Sequence, residues 1–292
     1  GLVDCLRDSS ELEPLPEYLF EPLSTKLRHY QTVGGMPEAV SAWCEKQDLR
    51  LAREIQLSIM EAYRQDIFTH ASAIDAPKIQ RVWQSLPRQL SRKNNRFRFS
   101  EVEARSNARK YGDALQWLVD ARMARCVHRA SLSGIPLSAY EDPDAFKVYF
   151  VDIGLFARLS GIEPSVLQDS PTLFREMKGS MAENLVLQSL SSQFEEPLCY
   201  WSNARPQAEV DFLASLGGVV VPIEVKAATN IKSPSLRVFM DKYGEQTPLR
   251  VRFSMQNLSL DGDLLNIPLF MSDEARRLML LALEKRRGDV RS

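Results

Sequence analysis

The first 75 residues carry apolar positions at helical spacing and predict a helical segment. Between residues 49 and 70, the apolar side chains recur at the interval that places them on one face of a helix. Earlier in the chain, "VGGMPEAV" (33–40) combines a Gly-Gly turn with Pro37, a residue that is tolerated in the first turn of a helix. Residues 1–75 are therefore predicted to form a helical unit.

Residues 76–152 have a different pattern, which predicts three short helices followed by two strands. The first helix has an apolar stripe at Ile79, Val82, Trp83, Leu86 and Leu90. Ser100 and Glu103 have the spacing of a capping box for a second helix, and a third helix is expected from about Asn107. Strands are expected at "MARCVHRA" (123–130) and "FKVYFVD" (146–152). This order predicts a winged helix-turn-helix domain.

The last part of the chain, residues 176–292, predicts a mixed α/β domain that follows a connector at 153–175. The predicted elements, in chain order, are a helix (180–194), three strands (197–201, 208–215 and 219–226), a helix (234–243), a strand (249–254), a further strand (266–270) and a C-terminal helix (273–285). The core of this domain is therefore expected to run helix, three strands, helix, strand.

Composition narrows the class of protein. Of 292 residues, 44% are hydrophobic and 26% are charged, which is typical of a globular chain. We find no apolar run near the roughly 18 residues that span a bilayer, and no signal-peptide pattern at the N-terminus. The four cysteines are scattered, with no CxxC pair, which argues against a disulfide framework or a zinc site. These features predict a cytoplasmic protein without a membrane segment.

The net charge of −1 conceals a strongly basic region. Residues 78–129 contain thirteen basic and four acidic residues, a local charge of +9. Such a concentration is typical of a phosphate-binding surface, although acidic neighbours could equally balance it in the fold. The residues expected to contact DNA are Arg88, Arg92, Lys93, Arg96, Arg105, Arg109 and Lys110. The alternative is a winged helix that serves only protein contacts.

The stretch "AEVDFLASLGGVVVPIEVKAA" (208–228) predicts a tight hairpin that carries charges. With Gly217-Gly218 as the two turn residues, partners across the hairpin have numbers that sum to 435. Asp211 then lies opposite Glu224, and Glu209 lies opposite Lys226. The other face carries the apolar side chains, which are Val210, Phe212, Ile223 and Val225.

Two carboxylates directly opposite each other repel, and this repulsion has to be relieved in the fold. One acid can be protonated, or a cation can lie between them; Lys226 supplies part of that charge and a divalent cation supplies more. Hard oxygen ligands favour Mg²⁺ or Mn²⁺. A third acid, Glu183, lies at one end of the buried stripe of the 180–194 helix, where a carboxylate is costly unless it is paired or bound to metal.

The pattern consists of a helix that carries one acid, a strand that carries a second acid, and a following strand that carries acid-x-lysine. This pattern resembles the core of the PD-(D/E)xK nuclease superfamily. The resemblance implies a restriction-endonuclease-like αβββαβ domain in which Asp211 and Glu224 hold the metal. Lys226 would position or activate the attacking water, and Glu183 would be the helix acid. No proline precedes Asp211. The alternative is a degenerate nuclease fold that keeps the acids in an ion-pair network with Lys226.

Most of the chain also resembles a family of bacterial and archaeal proteins with an AAA-type ATPase module. The similar blocks are "VGGMPEAV" (33–40), "FKVYFVDIGL" (146–155), "KGSMAENLV" (178–186), "YWSN…EVDF" (200–212), "PIEVKA" (222–227) and "NIPLF" (266–270). The resemblance implies an ATPase module upstream and a chain that begins at the tail of the ATPase lid. This chain has no G-x-x-x-x-G-K-[ST] loop, so we expect no nucleotide-binding residues in it.

These patterns together predict the DNA-associated C-terminal module of an AAA-type ATPase, with a Mg²⁺-dependent site for phosphodiester cleavage. The alternative is a catalytically inactive nuclease-like and winged-helix module that docks DNA or protein. A purely structural interaction domain is the third reading.

Overall fold

The computed structural model divides the chain into two compact units. The helical unit comprises Arg28–Cys126 and Phe146–Asn184, and the sheet unit comprises Gly1–Leu27, Val127–Ala145 and Leu185–Ser292. The structure describes residues 12–92, 95–131, 134–163, 175–204, 207–227 and 233–289. Much of the predicted connector therefore lies outside the described residues, and the predicted domain boundaries stay a prediction.

Nine α-helices lie within the described residues. They are α1 (Glu17–Val33), α2 (Pro37–Lys46), α3 (Leu49–His70), α4 (Ala76–Leu90), α5 (Ala108–Asp120), α6 (Ile153–Leu159), α7 (Arg175–Gln193), α8 (Pro234–Tyr243) and α9 (Ala275–Asp289). Among these residues, no helix combines the length and the apolar character needed to cross a bilayer.

One mixed sheet of eight strands contains every strand of the described residues. The strands are β1 (Ala124–Ala130), β2 (Glu141–Phe150), β3 (Cys199–Ala204), β4 (Gln207–Leu216), β5 (Val219–Val225), β6 (Arg250–Ser254), β7 (Ser259–Asp261) and β8 (Leu264–Pro268). Their order across the sheet is β2-β1-β3-β4-β5-β6-β8-β7. The predicted mixed α/β class is confirmed.

The sheet combines antiparallel hairpins with parallel neighbours. Strand β4 pairs antiparallel with β3 and β5, whereas β6 pairs parallel with both β5 and β8. Parallel neighbours need a crossover connection, and α8 lies in the crossover from β5 to β6. This topology places the ends of β5, β6 and β8 side by side.

A buried aspartate organises the helical unit. The carboxylate of Asp152 accepts hydrogen bonds from the backbone N–H of Leu155, at the start of α6, and from that of Gly35. Gly34 has a φ of +74°, and a Cβ there would lie 2.3 Å from an Asp152 oxygen, so only glycine fits this close approach. The blocks "VGGMPEAV" and "FKVYFVDIGL" therefore meet here for a structural reason.

The predicted second helix of residues 76–152 is wrong in detail. The structure has only a 3₁₀ turn at Phe99–Glu101, with no side-chain cap. Glu103 accepts hydrogen bonds from Lys110 and Tyr111 instead of closing a capping box. The long-range contacts of Glu103 with α5 therefore replace the local contact that its spacing suggested.

The two strands predicted as the wing belong to the large sheet. Strand β1 lies between β2 and β3, and it pairs parallel with β3 through His128 and Cys199. Pairing protects the backbone N–H and C=O groups that an isolated strand edge would expose. The hairpin is thus an edge of the sheet, an arrangement that the local sequence pattern did not predict.

Candidate functional site

The hairpin formed by β4 and β5 has the predicted register near its turn, but the predicted charged pairs, Asp211 with Glu224 and Glu209 with Lys226, are not among its observed pairs. Phe212 pairs with Ile223, and the pairing continues to Leu216 and Val219, so partners sum to 435 as expected. The turn residues Gly217 and Gly218 have φ values of +61° and +83°, which glycine adopts without steric cost. The Gly-Gly turn therefore fixes which face each side chain of β5 occupies.

A β-bulge in β4 spans Asp211 and Phe212, which the sequence did not predict. On the β3 side, Cys199 pairs with Leu213 but Trp201 pairs with Val210, so β4 holds one more residue than β3 between these pairs. The extra residue interrupts strict alternation along β4, and bulges of this kind are common beside active sites. The predicted unbroken alternation through residues 210–212 is therefore wrong.

Core packing shows the same interruption. Val210 and Leu213 belong to one buried cluster together with Leu236 and Phe239 of α8, although strict alternation would put them on opposite faces. The Asp211 carboxylate accepts a hydrogen bond from the backbone N–H of Val225 at 2.8 Å. The observed pairs of β4 and β5 end at Phe212, so this contact lies just beyond the ladder.

Glu224 is a buried carboxylate with two unlike oxygens. Its side chain is only 2% exposed, and its Oε1 lies 2.6 Å from Nζ of Lys226, which is 32% exposed. Its Oε2 is buried and accepts no hydrogen bond from any residue that the structure describes. An unpaired buried carboxylate oxygen is costly, so this oxygen is a candidate ligand for a cation.

Arg252 and Asn266 extend the site along the neighbouring strands. Glu224 pairs with Arg252, and Arg252 pairs with Asn266, in parallel register. Nε of Arg252 donates to Oδ1 of Asn266 at 3.0 Å, and the Ser254 hydroxyl donates to the same oxygen. Burial lowers the pKa of Arg252, while the charge of Glu224 acts in the opposite direction. A charged residue within the apolar strand "LRVRFS" was the signal in the sequence.

The carboxylates of Asp211 and Glu224 suit Mg²⁺ or Mn²⁺ as a pair of ligands, and not as part of a larger set of protein ligands. Across the described ranges, no three His, Cys, Asp or Glu side chains are grouped so that they could hold a metal ion. Mg²⁺ commonly uses one or two carboxylates, with water and substrate phosphates completing its coordination. Asp211 and Glu224 supply two carboxylates, and Lys226 and Arg252 supply two positive charges beside them.

Glu183, the predicted helix acid, is bound within the helical unit. Its Oε2 accepts hydrogen bonds from Nδ2 of Asn95 at 2.8 Å and from the Tyr149 hydroxyl at 2.9 Å. Nζ of Lys147, which is fully buried, lies 4.0 Å from the same oxygen. These contacts satisfy the carboxylate without a metal, and its catalytic role stays a prediction.

Three of the seven predicted DNA-contacting cations, Arg88, Arg92 and Lys110, are bound to acids or carbonyls of the chain. Arg92 forms an ion pair with Glu101, and Arg88 donates to the backbone carbonyl of Glu101. Lys110 binds Glu103, and its hydrogen bond, followed by that of Tyr111, lowers the pKa of Glu103 to about 2. For these cations, the alternative of a surface balanced by acidic neighbours describes the structure.

Arg105 and Arg109 differ from the paired cations. Both are exposed, at the start of α5, and neither forms an ion pair with a residue that the structure describes. Arg96 is also exposed, and its backbone forms a bridge with that of Lys147. Lys93 lies outside the described residues. The charge available to a ligand is therefore concentrated near the first turn of α5.

The thiols are poor candidates for chemistry. Burial raises the pKa of both Cys126 and Cys199 to about 12, so neither side chain supplies a thiolate near neutral pH. Of the described cysteines, only Cys44 is exposed.

Two family models match separate parts of the chain. Residues 24–166 match a domain of unknown function (DUF8612), and residues 178–270 match a second domain of unknown function (DUF4143). No curated protein and no solved structure matches the chain. Neither family description states an activity, so the function has to be argued from the residues themselves.

Proposed function

We propose that the chain is a DNA-associated module with a Mg²⁺- or Mn²⁺-dependent site for phosphodiester cleavage. The site consists of Asp211, Glu224 and Lys226 in the β4–β5 hairpin. The observation that carries the proposal is the buried Oε2 of Glu224, which lacks a hydrogen-bond partner among the described residues and lies on the same carboxylate that Lys226 binds.

Each residue has a distinct part in this proposal. Asp211 and Glu224 would hold the cation, which when bound would supply polarisation of a phosphate oxygen and a lowered pKa of water. Lys226, which contacts Oε1 of Glu224, would orient the attacking water or balance charge on the phosphate. Arg252, whose Nε donates a hydrogen bond to Asn266, places a positive charge on β6 next to Glu224. The fold expected for such a site is restriction-endonuclease-like, and its αβββαβ order agrees with α7, β3–β5, α8 and β6.

DNA association is the second part of the proposal. It is supported by the exposed Arg105 and Arg109 at the start of α5, which form no ion pair with a residue that the structure describes. Within a longer protein, the module would follow an AAA-type ATPase module, as the resemblance implies. The scattered cysteines favour a cytoplasmic location.

A cleavage assay tests the catalytic part. With Mg²⁺ or Mn²⁺ and duplex or single-stranded DNA, wild type should release shorter fragments. Asp211→Ala should abolish this release, and Lys226→Ala should lower the rate by roughly 10²–10⁴-fold. Glu284→Gln, which removes an exposed carboxylate of α9, is the matched control and should cleave like wild type. Cleavage that persists in both site variants would reject the site.

A catalytically inactive docking module is the second candidate function. It is favoured by the close ion pair between Lys226 and Glu224, which balances the buried carboxylate without a metal. This candidate predicts DNA binding without cleavage and without any effect of divalent cations on the site. The assay above separates the two, because only the first candidate predicts metal-dependent fragments that vanish in Asp211→Ala.

A further inference from the structure

Two arginines that the sequence pattern did not single out lie where α5 ends and β1 begins. The end of α5 closes with two backbone hydrogen bonds, from Arg122 to Val119 and from Met123 to Leu118. This is the Schellman arrangement, in which the residue at the position of Arg122 adopts a left-handed conformation. Its φ is +56°, where glycine is the favoured residue. An exposed arginine therefore occupies a position where glycine would fit with less strain.

Arg125 follows on β1 and is half-buried. Its Nη1 is buried and donates no hydrogen bond to any residue within the described ranges. Burial is the main cause that lowers the pKa of Arg125, and repulsion by Arg122 is the second. Only Met123 and Ala124 separate the two arginines along the chain, between the end of α5 and the start of β1.

Neither arginine is compensated in the described part of the chain. No carboxylate there pairs with Arg122 or Arg125, whereas Arg81, Arg92 and Lys110 are all paired with glutamates. The C-terminal end of α5 attracts a cation only weakly, and no carboxylate among the described residues offsets the left-handed backbone of Arg122 or the partial burial of Arg125. Residues that break local preferences without a structural gain are typical of binding sites.

We propose that Arg122 and Arg125 together bind a phosphate of the nucleic-acid backbone. A phosphate at the exposed edge of the pair would offset the repulsion and the partial burial, and the arginine fork matches its oxygens. Arg105 has the same feature before α5, since its φ is +61° and it is also exposed and uncompensated. Unpaired arginines thus flank both ends of α5. This inference rests on the proposed DNA association. It adds Arg122 and Arg125 to the residues proposed to contact DNA.

The left-handed backbone at Arg122 allows a substitution that removes the charge without straining the fold. Arg122→Gly removes the charge but suits the backbone, so it should fold at least as well as wild type. Gln47→Gly is the matched control, because Gln47 has a φ of +52° at the end of α2 in the same unit and carries no charge. Arg125→Gln removes the second charge, and Arg109→Ala provides a reference loss at the start of α5.

The measurement is fluorescence anisotropy with a labelled 20-base-pair duplex over a series of NaCl concentrations. Arg122→Gly and Arg125→Gln should each weaken binding and reduce the slope of log K against log[salt] by about 0.9, and Gln47→Gly should leave both unchanged. Wild-type affinity and slope in both arginine variants would overturn the inference while leaving DNA association intact. No salt-dependent binding by wild type would overturn DNA association and this inference together.

Discussion

Glu224 illustrates how a buried charge is tolerated in the sheet. The carboxylate is 2% exposed, and Lys226 on its own strand and Arg252 on the next strand supply the opposite charge. Taking a carboxylate out of water costs several kcal/mol, and a cation recovers that cost only with good geometry. The 2.6 Å contact to Lys226 supplies such geometry for Oε1, whereas Oε2 has no hydrogen-bond partner among the described residues.

Removing Lys226 should therefore destabilise the fold. Lys226→Met leaves the buried Glu224 with less compensation, and we expect the free energy of unfolding to fall by about 1–3 kcal/mol. The estimate lies below that for a fully buried pair because Lys226 is 32% exposed. Urea unfolding of Lys226→Met against Lys285→Met, an exposed lysine of α9, measures the difference. Equal stability of the two variants would show that the pair contributes little.

Residues close in sequence were easier to assign than those brought together by the sheet. The Gly-Gly turn and two-residue periodicity predicted Asp211, Glu224 and Lys226 as one group. The pairs nearest the turn follow the predicted sum of 435, whereas the predicted pair Asp211–Glu224 is not observed. Arg252 and Asn266 join through parallel pairing of separate strands, which local spacing does not encode.

At the scale of elements, Glu103 connects the 3₁₀ turn to α5. Its carboxylate binds Lys110 and Tyr111 of α5 and Arg81 of α4. The sequence suggested a cap for a second helix, because Ser100 and Glu103 have that spacing. The carboxylate instead binds the three partners on α4 and α5, and no side chain caps the 3₁₀ turn.

The Glu103 contacts predict an acid-sensitive element. The pKa of Glu103 is lowered to about 2, mainly by the hydrogen bonds from Lys110 and Tyr111, so the ionised form is favoured in the folded chain. Its stabilising contribution is complete above the ordinary glutamate pKa of about 4.3 and is lost as the pH falls through that value towards 2. The melting temperature of wild type should therefore fall as the pH is lowered from about 4.3 towards 2.

Glu103→Gln provides the comparison for this window. The variant should be less stable than wild type at pH 7, and the difference between the two should shrink as the pH falls from about 4.3 towards 2. Asp113→Asn, an exposed acid in the middle of α5, is the matched control and should follow wild type. A difference between wild type and Glu103→Gln that stays constant with pH would contradict the proposed role of Glu103.

Elements with strong local signals were predicted well, and those set by distant partners were not. The helices at 49–70 and 234–243 have the predicted bounds, since periodicity and Pro234 at the helix start define them. The bulge at Asp211 and Phe212 depends on how β4 pairs with β3, and β1 joins the sheet through β3. Both features arise from pairing that the local sequence does not specify.

At the scale of the whole molecule, charge is distributed unevenly and partly neutralised. The net charge is −1, yet residues 78–129 carry a local charge of +9. Glutamates within that region pair with Arg81, Arg92 and Lys110, while the arginines at both ends of α5 remain uncompensated among the described residues. The basic region is therefore better described as a few separate uncompensated cations than as one continuous positive surface.

Divalent-cation binding by the β4–β5 hairpin is the central claim. Titration of Mg²⁺ or Mn²⁺ into the protein by calorimetry, with wild type, Glu224→Gln and the control Glu284→Gln, tests it most directly. We predict saturable heat for wild type and Glu284→Gln, and its loss or a weakening of roughly tenfold or more in Glu224→Gln. Heat that is absent from wild type, or that is unchanged in Glu224→Gln, would contradict the claim.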